Sequence, residues 1–212
     1  MSNALVWGAG GGIGQALTSL LLAKGWTVVA VTRHPTRLET SAAHVIETGD
    51  ILPFDVQTAV TTASQFISDV NLWVYAVGDI VSAKVEDMSP DSCQRIINAN
   101  LTGAILTTHY SLPLLASDAH LMYIGAVSER MRLPGLSAYA AAKVGLEAFI
   151  EVLGKEQRHR RVLNIRPSAV DTPLWEKVPM RLPKGAATPN IIAEQILEAF
   201  DQKQIGTLDL TS

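Results

Sequence analysis

An α/β domain on a doubly wound parallel sheet is predicted by three observations. Short runs rich in β-branched and apolar residues alternate with segments of helical periodicity along the whole chain. The first such run, Ala4 to Trp7, opens into a glycine turn, Gly8-Ala9-Gly10-Gly11-Gly12-Ile13-Gly14. No repeat, low-complexity tract or linker divides the 212 residues, so residues 1–212 are expected to form a single domain. Strands alternating with helices imply right-handed crossovers, which place helices on both faces of the sheet.

Composition narrows the function classes. Hydrophobic residues make up 48% of the chain and charged ones 17%, and no apolar run reaches the roughly 20 residues of a membrane span. The formal charge of −3 sets up no global field for nucleic acid. The one basic cluster, Lys155, Arg158, His159, Arg160, Arg161 and Arg166, is expected to be the solvated end of a helix and the start of the next strand. Neither membrane nor nucleic acid is therefore an expected partner. The start, MSNALVWGAGGG, lacks a basic flank and a small-residue cleavage pattern, and the single Cys93 cannot make an internal disulfide, so a cytoplasmic location is expected. The five His lack ligand spacing, and no metal site is expected.

In chain order, the glycine turn is followed by helical periodicity from Gln15 to Lys24. Glycines there let a pyrophosphate approach backbone N–H groups at a helix N-terminus; the plain alternative is a flexible turn. Thr27 to Thr32 is the second strand. Its end faces the adenosine ribose in a dinucleotide fold, and Arg33 there suits a 2′-phosphate, unless it is only a surface arginine. A third strand is expected within Val45 to Phe54, and a helix after Asp55-Val56. Asn71 to Ala76 is the fourth strand, ending at Val77-Gly78, where a glycine admits a ligand or simply turns the chain. Pro90 to Ala116 predicts a long, bent helix. Within it, Asn100 needs partners for its amide, as a structural bridge or as a functional relay, while Cys93 and His109 suit packing or surface roles. His120 to Ile124, Arg161 to Ile165 and Gly206 to Leu210 complete the strands, and Ser137 to Gln157 and Asn190 to Asp201 the helices. The irregular stretch Pro173 to Thr188, with Pro173, Pro179, Pro183, Leu174, Trp175, Met180 and Leu182, is a lid candidate or a packed surface loop.

Tyr139 and Lys143 stand four apart on one helix face. A phenol beside an ammonium is an acid/base device, because the positive charge favours phenolate and tunes the phenol toward neutral pH. The spacing alone also fits two unrelated helix residues.

Together these features resemble the short-chain dehydrogenase/reductase family over nearly the whole chain. Gly8, Gly12 and Gly14, with Gly10 and Ile13 in the same turn, resemble its glycine motif, Asp55-Val56 its adenine-side pair, and Asn100-Leu101-Thr102-Gly103 its asparagine segment. Tyr139 and Lys143 match its catalytic pair, and Pro167-Ser168-Ala169-Val170-Asp171-Thr172-Pro173 its cofactor-clamping segment. The resemblance implies a Rossmann-type sheet of about seven strands in the order 3-2-1-4-5-6-7, and interconversion of a carbonyl and an alcohol on a small molecule. It also implies catalysis by Tyr139, Lys143 and Asn100. Gly8, Gly10, Gly12, Ile13, Gly14, Arg33, Asp55, Val56, Gly78, Tyr139, Lys143, Pro167, Val170 and Thr172 would bind NADP, with NAD possible. In similar members the helices after Asn100 and from Tyr139 to Gln157 pair across a two-fold axis, which implies a homodimer or homotetramer.

Several positions depart from the family pattern. Trp7 replaces Thr, Gly11 stands where NADP-preferring members carry a second basic residue, Tyr75-Ala76-Val77-Gly78 replaces Asn-Asn-Ala-Gly, and Ser168 replaces Gly. Thirteen residues before Tyr139, the catalytic serine is replaced by Ala126. Ser128 would be displaced by roughly 6 to 7 Å if the strand continued, and only a bent loop would return its hydroxyl. A second expectation therefore stands beside the enzyme: a cofactor-binding sensor or interaction protein with little or no reductase activity.

Overall fold

The computed structural model describes residues 2–38, 43–178 and 180–210, with the side chains of Arg37 and Ser128 excepted. Seven parallel strands form one sheet in the order β3-β2-β1-β4-β5-β6-β7. They are β1 (Asn3–Trp7), β2 (Thr27–Thr32), β3 (His44–Glu47), β4 (Val70–Tyr75), β5 (Leu115–Ile124), β6 (Arg161–Pro167) and β7 (Gly206–Leu210). In register, Leu5 lies between Val29 and Trp73, and Leu121 between Trp73 and Val162.

Alternation along each strand builds two cores. Leu5, Val29, Trp73, Leu121 and Tyr123 face α2 (Pro53–Ala63), α4 (Gly103–Ser111) and α5 (Ser137–Glu156) through Ala59, Ala104, Leu146 and Ile150. Ala4, Val6, Val28, Leu72 and Met122 face α1 (Gly12–Ala23) and α6 (Pro189–Asp201) through Leu17, Leu21, Ile192 and Ile196. Period-2 side-chain alternation on strands buried on both sides gives this division. The sheet order reverses between β1 and β4, and the carboxyl ends of those strands open the crevice where such folds bind ligands.

The start of α1, the β3–α2 connection and the helix from Pro90 differ from the sequence reading, each for a physical reason. α1 begins at Gly12 rather than Gln15, because glycines carry no apolar period and so conceal the first helical turn. β3 ends at Glu47, and α2 starts at Pro53, a residue whose fixed φ suits the first helical position. The long helix from Pro90 is three pieces: α3 (Pro90–Ile97), a π-helical turn (Asn98–Thr102) and α4, after which β5 already begins at Leu115.

Of the basic cluster, Lys155, Arg158 and His159 are exposed, whereas Arg160, Arg161 and Arg166 brace the fold. Arg160 donates to the carbonyls of Leu112, Leu115 and Ala116, tying the start of β5, and Arg161 donates to Asp118 O at 2.8 Å. Arg166 gathers Asp209, Glu129 and Glu147. Among the described residues no helix is long and apolar enough to cross a membrane, and no group of three or more His, Cys, Asp or Glu comes together to hold a metal.

Candidate active site

A cleft of about 620 Å³ opens over the carboxyl ends of the central strands. Gly8, Gly10, Gly12 and Ile13 line one side, Arg33 and Gly78 another, and Asn100, Tyr139, Lys143, Pro167, Val170 and Thr172 the rest. Gly14 lies outside the lining, and its role is steric: a Cβ there would collide with the Gly8 carbonyl.

Gly8 has φ +82°, and a Cβ would stand 2.7 Å from both Ala76 C and Val77 N, so only glycine lets the β1 and β4 tips approach this closely. The turn then leads into α1 with no side-chain cap and no acidic residue in its first turn. Those N–H groups and the positive end of the helix dipole form a cradle that fits a phosphate. Thr172 packs on Gly12, which closes the far side of the cradle.

Beyond the end of β2, Arg33 lines the cleft and pairs with Asp50 at 3.6 Å. Asp55 and Val56 are not brought to the cleft. Both sit in the first turn of α2, and Val56 is buried in the core. Thr48 and Ile51 occupy the wall instead, because the chain leaves β3 at Glu47 and crosses the cleft edge before α2 starts. The strand end would have pointed to them, had β3 been delimited correctly.

Asn100 is buried inside the π-helical turn. Its amide donates to Asp79 O at 2.6 Å and to Ile96 O at 2.9 Å, which fixes its orientation and leaves Oδ1 buried without a partner. That oxygen faces Gly78, where a Cβ would lie 3.4 Å away. The side chain is thus both bridge and open acceptor. The π turn is itself held from the sheet, since the Tyr75 hydroxyl donates to Ala99 O at 2.8 Å.

Tyr139 and Lys143 lie in the first two turns of α5, both buried. The Lys143 ammonium donates to Ile124 O at 3.0 Å and stands 5.7 Å from the Tyr139 ring centroid. An ammonium has three donors, so two remain for groups in the cleft. Burial pushes the Tyr139 phenol up to about 12 and lowers Lys143 to about 8. The shift runs opposite to the expected tuning of the phenol toward neutrality, and its cause is desolvation of the phenolate. Burial thus favours the protonated phenol at neutral pH.

Ala126 lines the cleft and offers no hydrogen bond. The strand does not continue to Ser128. β5 ends at Ile124, and Ser128 opens a 3₁₀ turn to Met131; its side chain lies outside the described residues. Pro179, expected in the lid stretch, also lies outside them.

Sequence reasoning missed one cluster. Asp79, immediately after Gly78, is buried, with its carboxylate on Arg95 Nε at 2.9 Å and on the Lys177 ammonium at 2.5 Å. Lys177 ends the 3₁₀ turn Pro173–Lys177, so this ion pair ties the lid stretch across the cleft. The only sequence signal is a carboxylate in the apolar run after β4, since Lys177 is 98 residues away.

The model of the short chain dehydrogenase family matches residues 2–182. An uncharacterized oxidoreductase of Staphylococcus aureus (strain USA300) is 28% identical over 220 residues, which cover 98% of this chain and 95% of the relative. Among solved structures, the 3-ketoacyl-(acyl-carrier-protein) reductase of Brucella melitensis, complexed with NADH, superposes with a TM-score of 0.87 at 24% identity, covering 98% of this chain and 96% of that one. The alcohol dehydrogenase of the archaeon Thermococcus sibiricus, complexed with 5-hydroxy-NADP, gives 0.88 at 23%, covering 99% and 96%. A family match over most of the length, joined to this sheet order and this cleft, makes the chain an oxidoreductase of the short-chain dehydrogenase/reductase family.

Proposed function

We propose that the chain is an NADP(H)-dependent oxidoreductase that interconverts a carbonyl and an alcohol on a small molecule. The observation that carries this reading is the buried Lys143 ammonium, which uses one of its three donors on Ile124 and keeps two beside the Tyr139 phenol. A buried cation with spare donors is costly unless a ligand takes them.

The residues fit a nicotinamide dinucleotide. The uncapped start of α1 would hold the pyrophosphate, Arg33 the 2′-phosphate, Thr48 and Ile51 the adenine side, Lys143 the nicotinamide ribose, and Val170 and Thr172 the ring. The Brucella and Thermococcus structures hold cofactors of this class. When bound, the cofactor supplies or takes the hydride.

Tyr139 gives its phenolic proton to the substrate oxygen as the carbonyl is reduced, and takes it back in the reverse direction. Lys143 holds ribose hydroxyls and stabilises the phenolate left after proton transfer. Asn100, with Oδ1 open, accepts a hydrogen bond from a water that resupplies the proton. Ala126 contributes no contact to the substrate oxygen, so Tyr139 carries its polar recognition there.

Assembly as a homodimer or homotetramer is part of the proposal. Val144 and Val152 on α5 and Ile105 on α4 leave an exposed apolar stripe. A cytoplasmic location completes it. Side-by-side titration with NADPH and NADH tests the cofactor reading: clear preference for NADPH supports Arg33, equal affinity removes its role, and binding of neither removes the proposal.

A further inference from the structure

Among the described residues, the charged side chains lining the cleft are Arg33, Arg130, Lys143, Lys177, Arg181 and Lys184, with no carboxylate among them. This is a chain with 17 Lys+Arg and 20 Asp+Glu. The charge segregation has identifiable causes. Glu129 is drawn to Arg166, together with Glu147 and Asp209, while its neighbour Arg130 lines the cleft.

Three of the six cations have duties already. Arg33 and Lys143 fall at the two riboses of a dinucleotide, and Lys177 is held by Asp79. Arg130 adds an electrostatic contribution at Asp209, but no ion pair among the described residues engages Arg181 or Lys184. Arg130 lies in the 3₁₀ turn Ser128–Met131, which packs against α5, and Arg181 and Lys184 belong to the stretch Pro173 to Thr188. Between these cations the walls are apolar, with Met131, Leu174, Trp175, Val178 and Met180.

We propose that the substrate is a carbonyl compound with an apolar body and an anionic group, a carboxylate or a phosphate ester, received at the mouth by Arg130 and Arg181 with Lys184 beside them. This rests on the reading of the cleft as a cofactor and carbonyl site. Cations gathered in a cleft with low-dielectric walls raise the local concentration of anions, and the guanidinium forks match either oxyanion.

The test is calorimetric titration of the NADPH-loaded protein with hexanoate, hexyl phosphate and hexanamide. At least one anion is expected to bind about tenfold more tightly than the amide, and the tighter of the two identifies the class. The double variant Arg130→Gln, Arg181→Gln is expected to lose that preference while keeping its affinity for hexanamide and NADPH. Lys24→Gln, on the remote end of α1, should retain the preference. Equal binding of all three probes, or no binding by either anion at millimolar concentration, overturns the proposal. So does a preference that survives in the double variant, or a double variant that weakens NADPH alone, since the arginines would then serve the cofactor. If NADPH itself does not bind, the proposed function falls, and the same titration of the bare protein and its double variant decides the anion site separately.

Discussion

The Tyr75 hydroxyl donates to the Ala99 carbonyl at 2.8 Å, joining the end of β4 to the π-helical turn that carries Asn100. Tyr75 replaces an asparagine of the family pattern, and Gly103 makes room for it, since a Cβ there would collide with the phenol oxygen. Removing that hydroxyl takes away the hydrogen bond that joins β4 to the turn. Tyr75→Phe is expected to lower stability by about 0.5 to 1.5 kcal/mol in urea unfolding and to reduce turnover through Asn100. Unchanged stability would show that the π turn stands without this bond.

In the proposed reaction, Ala126 would leave the reacting oxygen one donor short. If the chain is an enzyme weakened by that loss, Ala126→Ser should raise kcat/KM on carbonyl substrates by about a hundredfold, the worth of one hydrogen bond at a reaction centre. A fall in activity would show that the cleft is already adapted to alanine. No turnover in either form, with cofactor binding intact, would favour the sensor reading.

If Lys143 holds the cofactor as proposed, its titration sets the pH dependence of cofactor binding. Burial lowers it to about 8 from an ordinary 10.5, so its donors to a ribose begin to be lost as pH rises past about 8, far below the phenol at about 12. NADPH affinity should therefore fall above that pH, and Lys143→Met should flatten the profile. A wild-type profile flat to pH 10 would remove the role. The stability effect runs the other way. Between about 8 and 10.5 the unfolded chain holds the extra proton, so this group's contribution to folding improves with rising pH.

Arg33 is the candidate for discrimination between the two cofactors, and its ion pair with Asp50 is exposed and so worth little by itself. Arg33→Ser should cost NADPH about tenfold in affinity and leave NADH nearly unchanged, as measured by fluorescence titration. Equal losses for both cofactors would assign Arg33 to the shared part of the dinucleotide.

Much of this molecule was legible in the sequence, and the exceptions share a cause. β2 (Thr27–Thr32), β7 and α5 fell where periodicity placed them, because a strand or helix buried on a continuous face must repeat its apolar residues at 2 or 3.6. The start of α1 was concealed by glycines, which have no side chain to show a period. Asp55-Val56 was expected at the cleft edge where Thr48 and Ile51 stand, because β3 is short and its burial uneven. The π turn has no compositional signature, although it sets where Asn100 points. Tyr139 and Lys143 stand together as their spacing suggests, yet the direction of their pKa shifts was not legible, because it comes from burial in the folded chain.

The central claim is that the Tyr139 phenol transfers the proton. Its direct test is NADPH oxidation by Tyr139→Phe beside wild type, on a carbonyl substrate found by screening, with NADPH affinity measured on both. Loss of turnover by about 10² to 10⁴-fold at unchanged cofactor affinity is the predicted result. Full turnover in the phenylalanine variant would contradict it.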